Sequence, residues 1–300
     1  MGGPSAEREV SLKTGHAVLS ALQEKGYHVV GIDLIPEQFI DQLRSTGAEV
    51  VFNTVHGQFG EDGTLPGTLD LLGIPYTGSG VLASAIAMDK TISKRLFVSA
   101  DIPTPQARCY DKINRPVTLV AEIHDHFKLP LVVKAASQGS SIGVFIVKED
   151  DELEKALHEA FQLSDRIVVE EFIKGRELTV AVISSDVQTA LPIIEIVPHS
   201  GRYDYHSKYT KGCTDYLVPA ELSSELTTKV QDIAINAVRL LGCKGVSRVD
   251  MMMDSENNPY VLEVNTIPGM TGTSLVPKAA NAAGISFPDL CERLLLMATV

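Results

Sequence analysis

Four polar side chains near the C-terminal end of the chain have the types and spacing of a site for a metal or a phosphate: Arg248, Asp250, Glu263 and Asn265. Carboxylate and amide oxygens suit Mg²⁺, which keeps several waters and shares its coordination sphere with substrate phosphates. A guanidinium beside them suits an anion. The simpler interpretation is a solvated strand face with a salt bridge.

A β-hairpin would bring these four residues together. Residues 246–253 and 259–264 alternate in polarity and flank a cluster of turn formers, as the two strands of a hairpin do. A two-residue loop at 256–257 places Asp250 opposite Glu263, whereas a turn moved by one residue places it opposite Asn265. Either register keeps the polar residues on one face, because the side-chain period of a strand is two. Val249, Met251, Val261 and Val264 are predicted to be core.

Loops rich in glycine and hydroxyl residues offer further anion sites. Gly269 and residues 271–274 follow the hairpin directly, where they suit an anionic substrate. Earlier in the chain, a predicted strand ends in Lys134 and leads into residues 135–143, rich in glycine and serine. Backbone N–H groups of such a loop can surround phosphate oxygens, with Lys134 adding a charge. An ordinary flexible hairpin loop is the alternative. The Gly-Lys-Ser/Thr of a Walker A loop is absent here.

Two more candidates depend on their position in the fold. His56 follows a predicted strand, where open α/β sheets bind ligands, so it lines a site or simply bonds to a neighbouring carbonyl. Glu7 lies in the predicted first turn of a helix, where an acidic residue complements the helix dipole. Residues 78–83 match the dinucleotide fingerprint only loosely, and a tight turn is the better interpretation, so a nicotinamide cofactor is not expected.

The elements that would position these residues are predicted from periodicity. Helix spacing over residues 10–22, with Ser5 as N-cap, is followed by a strand at 27–33, a helix at 37–45 and a strand at 50–54. This alternation predicts a parallel sheet covered by helices. Later elements are predicted as helices at 150–161, 227–241 and 288–297, strands at 144–147, 167–173 and 178–183, and an irregular lid at 198–215.

Bulk properties limit the class of protein. The 300 residues predict about two domains, and a net charge of -12 argues against a nucleic-acid or anionic-membrane binder. The four scattered cysteines fit reduced thiols better than disulfides or a zinc site. No apolar run is long enough to span a bilayer, and no signal peptide is recognisable. These features predict a cytoplasmic protein.

With these residues assembled, the chain resembles an ATP-grasp enzyme, and specifically the D-alanine–D-alanine ligases. The resemblance covers essentially the whole chain and rests on motifs that occur in order. They are GGPSAEREVS at 2–11, HG at 56–57, EDGT at 61–64, YTGSG at 76–80, MDK at 88–90, GSSIG at 139–143, YDY at 203–205, KY at 208–209, RVD at 248–250 and EVNTIPGMT at 263–271.

The resemblance implies an α/β fold, with α+β character in the nucleotide-binding part. It implies an N-terminal Rossmann-like domain with a parallel sheet at 1–87, a central ATP-grasp subdomain with the phosphate loop at 88–175, and a C-terminal subdomain with the lid and metal site at 176–300. It also implies ligation of two D-alanines through an acyl phosphate for peptidoglycan precursors, using ATP and two Mg²⁺ ions, or Mn²⁺, in a cytoplasmic homodimer. Neither a nucleic acid nor a membrane is an expected partner.

The resemblance also assigns roles to residues. The metal ligands would be Asp250, Glu263 and Asn265. The residues around the nucleotide would be Lys90, Lys134, Ser140, Ser141, Glu170, Glu171, Ile173, Glu177 and Lys208. The substrate and catalytic residues would be Glu7, His56, Ser140, Lys208, Tyr209, Arg248, Gly269, Ser274 and Leu275. Among these, Glu7 would pair with the first ammonium, Arg248 and the Gly269 N–H would stabilise the oxyanion, and Tyr209 would mark the dipeptide-forming branch.

Three departures from the family pattern stand out. Ala135 replaces a common proline, residues 206–207 read His-Ser instead of Glu-Ala, and Met1 stands where relatives end an apolar first strand. The sequence therefore predicts a first domain that lacks its first strand. Alternatives remain: an inactive nucleotide-binding protein if the Glu7 site is damaged, or an ATP-grasp ligase with another acceptor.

Overall fold

The structure is a computed structural model that describes residues 1–113, 118–139, 141–201, 203, 207, 210 and 212–298. The N-terminal part contains four helices: α1 (Arg8–Glu24), α2 (Phe39–Thr46), α3 (Thr64–Leu72) and α4 (Val81–Met88). Among the described residues, no helix has both the length and the apolar composition needed to cross a lipid bilayer.

The central part forms a four-stranded antiparallel sheet backed by helices. Its strand order is β1-β4-β2-β3. Its elements are α5 (Lys90–Ser99), β1 (Ala107–Asp111), α6 (Leu119–His126), β2 (Leu131–Ala135), β3 (Val144–Val147), α7 (Asp150–Leu163) and β4 (Arg166–Glu171). Apolar residues of α6 and α7 form a core with one face of this sheet, and Leu131 and Val133 are completely buried there.

The C-terminal part forms a second, six-stranded sheet in the order β10-β9-β5-β7-β8, with β6 paired to β5. Its elements are β5 (Gly175–Ser184), β6 (Gln188–Ala190), β7 (Ile194–Pro198), β8 (Thr214–Leu217), α8 (Ser224–Leu241), β9 (Gly245–Asp254), β10 (Pro259–Asn265), α9 (Leu275–Ala282) and α10 (Phe287–Leu296). Val180 and Val249 pack on the side of α8, whereas Ala181 and Val246 pack with α1, α9 and α10. Covering both faces explains why β5 is apolar at successive positions.

The β9–β10 hairpin has the predicted register at the site and a different one near the turn. Asp250 pairs with Glu263, as the two-residue loop predicted, but Val261 pairs with Met251, and the register shifts between Val261 and Glu263. The loop itself spans residues 255–258, with Asn257 at φ 63°, so the two-residue loop was wrong. The bulge has a clear reason: Val261 and Val264 are three apart, and only an extra residue lets both reach the core.

Strands predicted in the first part of the chain are not formed, and this prediction was wrong. Residues 27–33 form no strand, and residues 50–54 contribute only a parallel bridge from Val51 to Tyr76. A single residue, Met1, pairs with the first segment: its N–H group donates to the Ile32 carbonyl, and its carbonyl accepts from the N–H of Leu34. One paired residue is too little for a ladder, so the segment stays irregular.

The start of α1 also differs from the prediction. Ser5 is not the N-cap, because the helix begins at Arg8 and Glu7 occupies the cap position without a side-chain cap bond. The Ser5 hydroxyl instead donates to the His56 carbonyl at 2.7 Å and accepts from the N–H of Glu7 at 3.2 Å. Ser5 therefore fastens the start of α1 to the loop that follows residue 55.

Candidate active site

The polar face of the β9–β10 hairpin begins with a partly buried ion pair. Arg248 donates to Asp250 twice, from Nε to Oδ1 at 2.8 Å and from Nη2 to Oδ2 at 2.7 Å. The hydroxyl of Thr179 on β5 donates to the same Oδ1 at 2.7 Å. Burial opposes the charge of Arg248, but the neighbouring Asp250 outweighs it and raises the pKa of the guanidinium. Arg248 is thus a fixed positive charge with one possible orientation.

Lys90 connects this face to the glycine-rich loop at residues 135–143. Helix α5 begins at Lys90 because the Asp89 carboxylate accepts from the N–H groups of Thr91 and Ile92. The Lys90 Nζ lies 3.0 Å from Glu263 Oε2 and donates to the Gln138 carbonyl at 2.8 Å. Its side chain is 9% exposed. The Lys90 ammonium therefore contacts both the Glu263 carboxylate, a candidate metal ligand, and the glycine-rich loop.

The carboxylate of Glu7 lies between two glycines from different loops. A Cβ at Gly139 would lie 2.7 Å from Glu7 Oε2, and one at Gly57 would lie 3.1 Å from it. Both positions therefore need glycine if this carboxylate is to stay where it is. Glu7, at the start of α1, therefore lies next to Gly139 of the glycine-rich loop, although more than a hundred residues separate the two in the sequence.

His56 is buried beside the same helix. Its Nε2 lies 3.1 Å from the Thr14 hydroxyl, and its Nδ1 lies 3.9 Å from Glu61 Oε1. The Glu61 carboxylate also accepts from the N–H of Gly57 at 2.8 Å. The imidazole is thus held by α1 on one side and by its own loop on the other.

Residues 269–275 close the other side of the site. The Ser274 hydroxyl lies 2.8 Å from that of Thr271 and accepts from the Thr271 N–H at 3.0 Å. A Cβ at Gly269 would lie 2.9 Å from Ser274 Oγ. Leu275 begins α9, so Ser274 stands at a helix N-terminus, where backbone N–H groups favour an anion.

Lys134 belongs to a buried group of charges outside this cavity lining. It forms an ion pair with Glu170, which also pairs with Lys94 of α5 at 2.7 Å. Burial would raise the pKa of the Glu170 carboxyl, but the ammonium groups of Lys134 and Lys94 outweigh it and lower that pKa. The carboxylate is therefore charged and shared between two lysines.

The remaining candidates lie on the strands around that group or in the loop. Glu171 Oε1 accepts from the N–H of Gln106 at 2.9 Å, Ile173 lies in the link between β4 and β5, and Glu177 lies on β5. The Ser141 hydroxyl donates to the Tyr203 carbonyl at 3.4 Å. Ser140, Lys208 and Tyr209 lie outside the described residues.

Nine of the candidate site residues line a single cavity of about 270 Å³. Those that line it are Glu7, His56, Lys90, Arg248, Glu263, Asn265, Gly269, Ser274 and Leu275. Asp250 sits directly behind Arg248, and Lys134 and Glu170 lie further toward the four-stranded sheet. The cavity therefore brings the Glu7 carboxylate and the Arg248 guanidinium together with the hairpin face that carries Glu263 and Asn265.

Sequence reasoning missed several residues of this region. Thr179 would be found only from the β5–β9 pairing, which sets it opposite Asp250. Lys94 has a sequence signal, since it follows Lys90 by four positions and so shares its helix face. Tyr203 and Tyr216 also line the cavity, with hydroxyls 3.2 Å apart, but nothing in the sequence joins them.

Comparison with known proteins gives the family. A family model described as "D-ala D-ala ligase C-terminus" matches residues 96–296, and one described as "D-ala D-ala ligase N-terminus" matches residues 36–79. The D-alanine–D-alanine ligase of Desulforudis audaxviator is 49% identical over 99% of this chain and 96% of its own length. The chain belongs to the D-alanine–D-alanine ligase family.

Other members of the D-alanine–D-alanine ligase family are also similar to this chain. The enzyme of Syntrophotalea carbinolica is 49% identical over 100% of this chain and 95% of its own length. A crystal structure of the Bacillus anthracis enzyme complexed with ATP superimposes with a TM-score of 0.84 at 36% identity, covering 99% of this chain and 94% of that one. The chain thus has the ATP-grasp fold of these ligases, as the sequence predicted.

Proposed function

We propose that this protein joins two D-alanine molecules to D-alanyl-D-alanine at the expense of ATP, for peptidoglycan precursor synthesis. One observation carries the proposal: the cavity places Glu7, Arg248 and Ser274 beside Lys90 and Glu263. Groups suited to a zwitterionic amino acid and groups suited to a nucleotide phosphate therefore share one space. Family membership and relatives named D-alanine–D-alanine ligase support the same activity.

The first D-alanine is proposed to bind near the start of α1. Its ammonium pairs with the Glu7 carboxylate, and His56 lies close to it. Gly57 and Gly139 leave the Glu7 carboxylate room for this contact. The carboxylate of this D-alanine then points toward Lys90, so one of its oxygens can attack the γ-phosphorus of ATP as the bond to ADP breaks.

The second D-alanine is proposed to bind by its carboxylate to Ser274 and the backbone of Leu275, at the N-terminus of α9. Its amine nitrogen attacks the carbonyl carbon of the acyl phosphate. The tetrahedral oxyanion is stabilised by Arg248 and the N–H of Gly269. Loss of a nitrogen proton and departure of inorganic phosphate leave the dipeptide.

Metal binding is proposed at Asp250, Glu263 and Asn265. Two carboxylates and an amide on one strand face are the hard oxygen donors that Mg²⁺ prefers, so the residues present fit the ion; Mn²⁺ suits the same donors. Two bound ions would neutralise phosphate charge during transfer. Lys90 and Arg248 pair with Glu263 and Asp250, the two carboxylates of this donor set.

The nucleotide is proposed to extend toward the four-stranded sheet. Lys90, Lys134 and Ser141 would bind its phosphates, Glu170, Glu171 and Ile173 would border the adenine, and Glu177 would face the ribose. Ser140, Lys208 and Tyr209 would close over both substrates, with Tyr209 favouring an amine acceptor over D-lactate. These last roles rest on the family resemblance alone.

Three coarser properties are proposed with the activity. The chain would work in the cytoplasm, and it would divide into domains at 1–87, 88–175 and 176–300. It would form a homodimer, which the exposed Leu71, Val81 and Leu82 on α3 and α4 support, because apolar side chains so exposed are suited to an interface. Light scattering at micromolar concentration would test the dimer.

Phosphate release from MgATP tests the activity, with the product identified by mass spectrometry. We expect release only with D-alanine, not with L-alanine, and formation of the dipeptide. The variant Glu7→Gln should retain nucleotide binding and lose most of the release, because the ammonium loses its counter-charge. Release without any dipeptide, or equal release with L-alanine, would contradict the proposal.

A further inference from the structure

Lys94 is a buried lysine that the proposed reaction does not use. Its side chain is 4% exposed, and its Nζ lies 2.7 Å from Glu170 Oε2, in an ion pair. The same ammonium donates to the Thr104 hydroxyl at 3.0 Å, which in turn donates to the Val261 carbonyl of β10 at 2.8 Å. Three elements therefore fix this charge: α5, the segment before β1 and the hairpin.

The buried cluster of Lys94, Glu170 and Lys134 carries surplus positive charge. The Glu170 side chain is 2% exposed and that of Lys134 is 9% exposed. Among the ion pairs between described residues, neither lysine has a second carboxylate. Burial lowers the pKa of the Lys94 ammonium, against the opposing charge of Glu170. A buried surplus charge is unfavourable until an anion compensates it.

We propose that Lys94 is a positioning residue for the nucleotide, acting through Glu170 on Lys134, and that a phosphate group of ATP supplies the missing negative charge. The inference rests on the proposed use of ATP. Lys94 takes part of the Glu170 charge, so Lys134 keeps enough net positive charge to attract phosphate. Without Lys94, Glu170 would neutralise Lys134 alone, and the cluster would lose its attraction for an anion.

Equilibrium binding of ATP, ADP and adenosine to Lys94→Met tests this role. We expect ATP and ADP to bind about tenfold or more weakly, in line with the loss of a charge-assisted contact. Adenosine has no phosphate and should weaken far less than ATP, although Glu170 also borders the proposed adenine site. Arg95→Met is the matched control, because it removes the same charge from an exposed position one residue along the same helix.

Two further variants separate positioning from folding. Lys94→Arg keeps the charge and should recover most of the ATP affinity. Thr104→Val keeps Lys94 but removes its second anchor, and it should weaken ATP severalfold without weakening adenosine. Equal weakening of ATP and adenosine, or unchanged ATP binding, would overturn the inference. Wild-type protein that binds ATP but forms no dipeptide would instead contradict the proposed function alone.

Discussion

Arg248 shows how strongly a single side chain is constrained at this site. Its guanidinium donates hydrogen bonds to both carboxylate oxygens of Asp250, and the Thr179 hydroxyl donates to the same carboxylate. A lysine ammonium has the same charge but cannot form this planar contact with two parallel hydrogen bonds. The orientation in which we propose that Arg248 stabilises an oxyanion is thus set by Asp250 before any substrate binds, which is the arrangement that electrostatic catalysis requires.

Arg248→Lys should therefore lower kcat by about 10²–10³-fold, because one oriented oxyanion donor is lost. The KM for ATP should change little, since Lys90 and Lys134 remain. Steady-state kinetics with ATP and D-alanine varied separately would measure both values. A kcat within a factor of about three of the wild type would show that Arg248 does not act on the reacting oxygen.

Gly139→Ala is expected to damage the first amino-acid subsite selectively. The new Cβ would lie 2.7 Å from Glu7 Oε2, so the carboxylate must move away from its position. We expect the KM for D-alanine to rise about tenfold or more, the effect of a weakened charge-assisted contact.

Gly80→Ala is the matched control for that variant. Its Cβ would meet only the Tyr76 hydroxyl at 3.6 Å, an ordinary contact, so its kinetics should equal those of the wild type. Equal KM values for D-alanine in the Gly139→Ala and Gly80→Ala variants would exclude crowding of Glu7 as an influence on substrate binding.

At the scale of elements, the sequence predicts the hairpin face well and its loop poorly. The strand period of two places Arg248 and Asp250 together whichever register forms, so the polar face was predictable. The bulge between Val261 and Glu263 and the left-handed Asn257 depend on how the valines meet the core. That information comes from packing, not from the order of polar and apolar residues.

Helix α5 gives a prediction about stability, because Asp89 caps the helix that carries Lys90 and Lys94. Asp89 also pairs with Arg166 of β4. Asp89→Ala should lower the free energy of unfolding by about 1–2 kcal/mol, the usual cost of a lost cap. Urea unfolding at pH 7 would measure the difference, and a loss below about 0.3 kcal/mol, far under that cost, would contradict it.

The same variant has a defined dependence on pH. Burial opposes the charge of Asp89, but bonds from Thr91 and the charge of Arg166 outweigh it and lower its pKa in the folded protein. A carboxyl with a lowered folded pKa stabilises the protein above its unfolded pKa and loses that effect as pH falls. The difference between wild type and Asp89→Ala should therefore be constant near pH 7 and shrink below about pH 4.

At the scale of the molecule, the sequence misjudges the strands in the first part of the chain. Residues 27–33 and 50–54 have the composition of buried strands, yet they remain outside any ladder. A ladder needs a neighbouring strand that pairs over several residues, and among the described residues only the Met1 backbone pairs with the first segment. The strand propensity of a segment does not reveal whether another segment is available to pair with it. The motifs of the candidate active site can be recognised without that information.

Lys90 also leads to a prediction about the whole molecule, because it joins the loop of one sheet to the hairpin of the other. A nucleotide bound there contacts both sheets, so MgATP should stabilise them together. At a hundredfold excess over Kd the gain is about 2.7 kcal/mol, which corresponds to a Tm increase of several degrees.

Lys90→Met should unfold near the wild-type Tm without nucleotide, because the partly exposed Glu263 tolerates losing this pair. With MgATP it should show a clearly smaller increase at the same ligand concentration. Differential scanning calorimetry of both proteins with and without MgATP would measure the two increments. Equal increments would mean that Lys90 does not touch the nucleotide, and that the connection between the sheets is structural only.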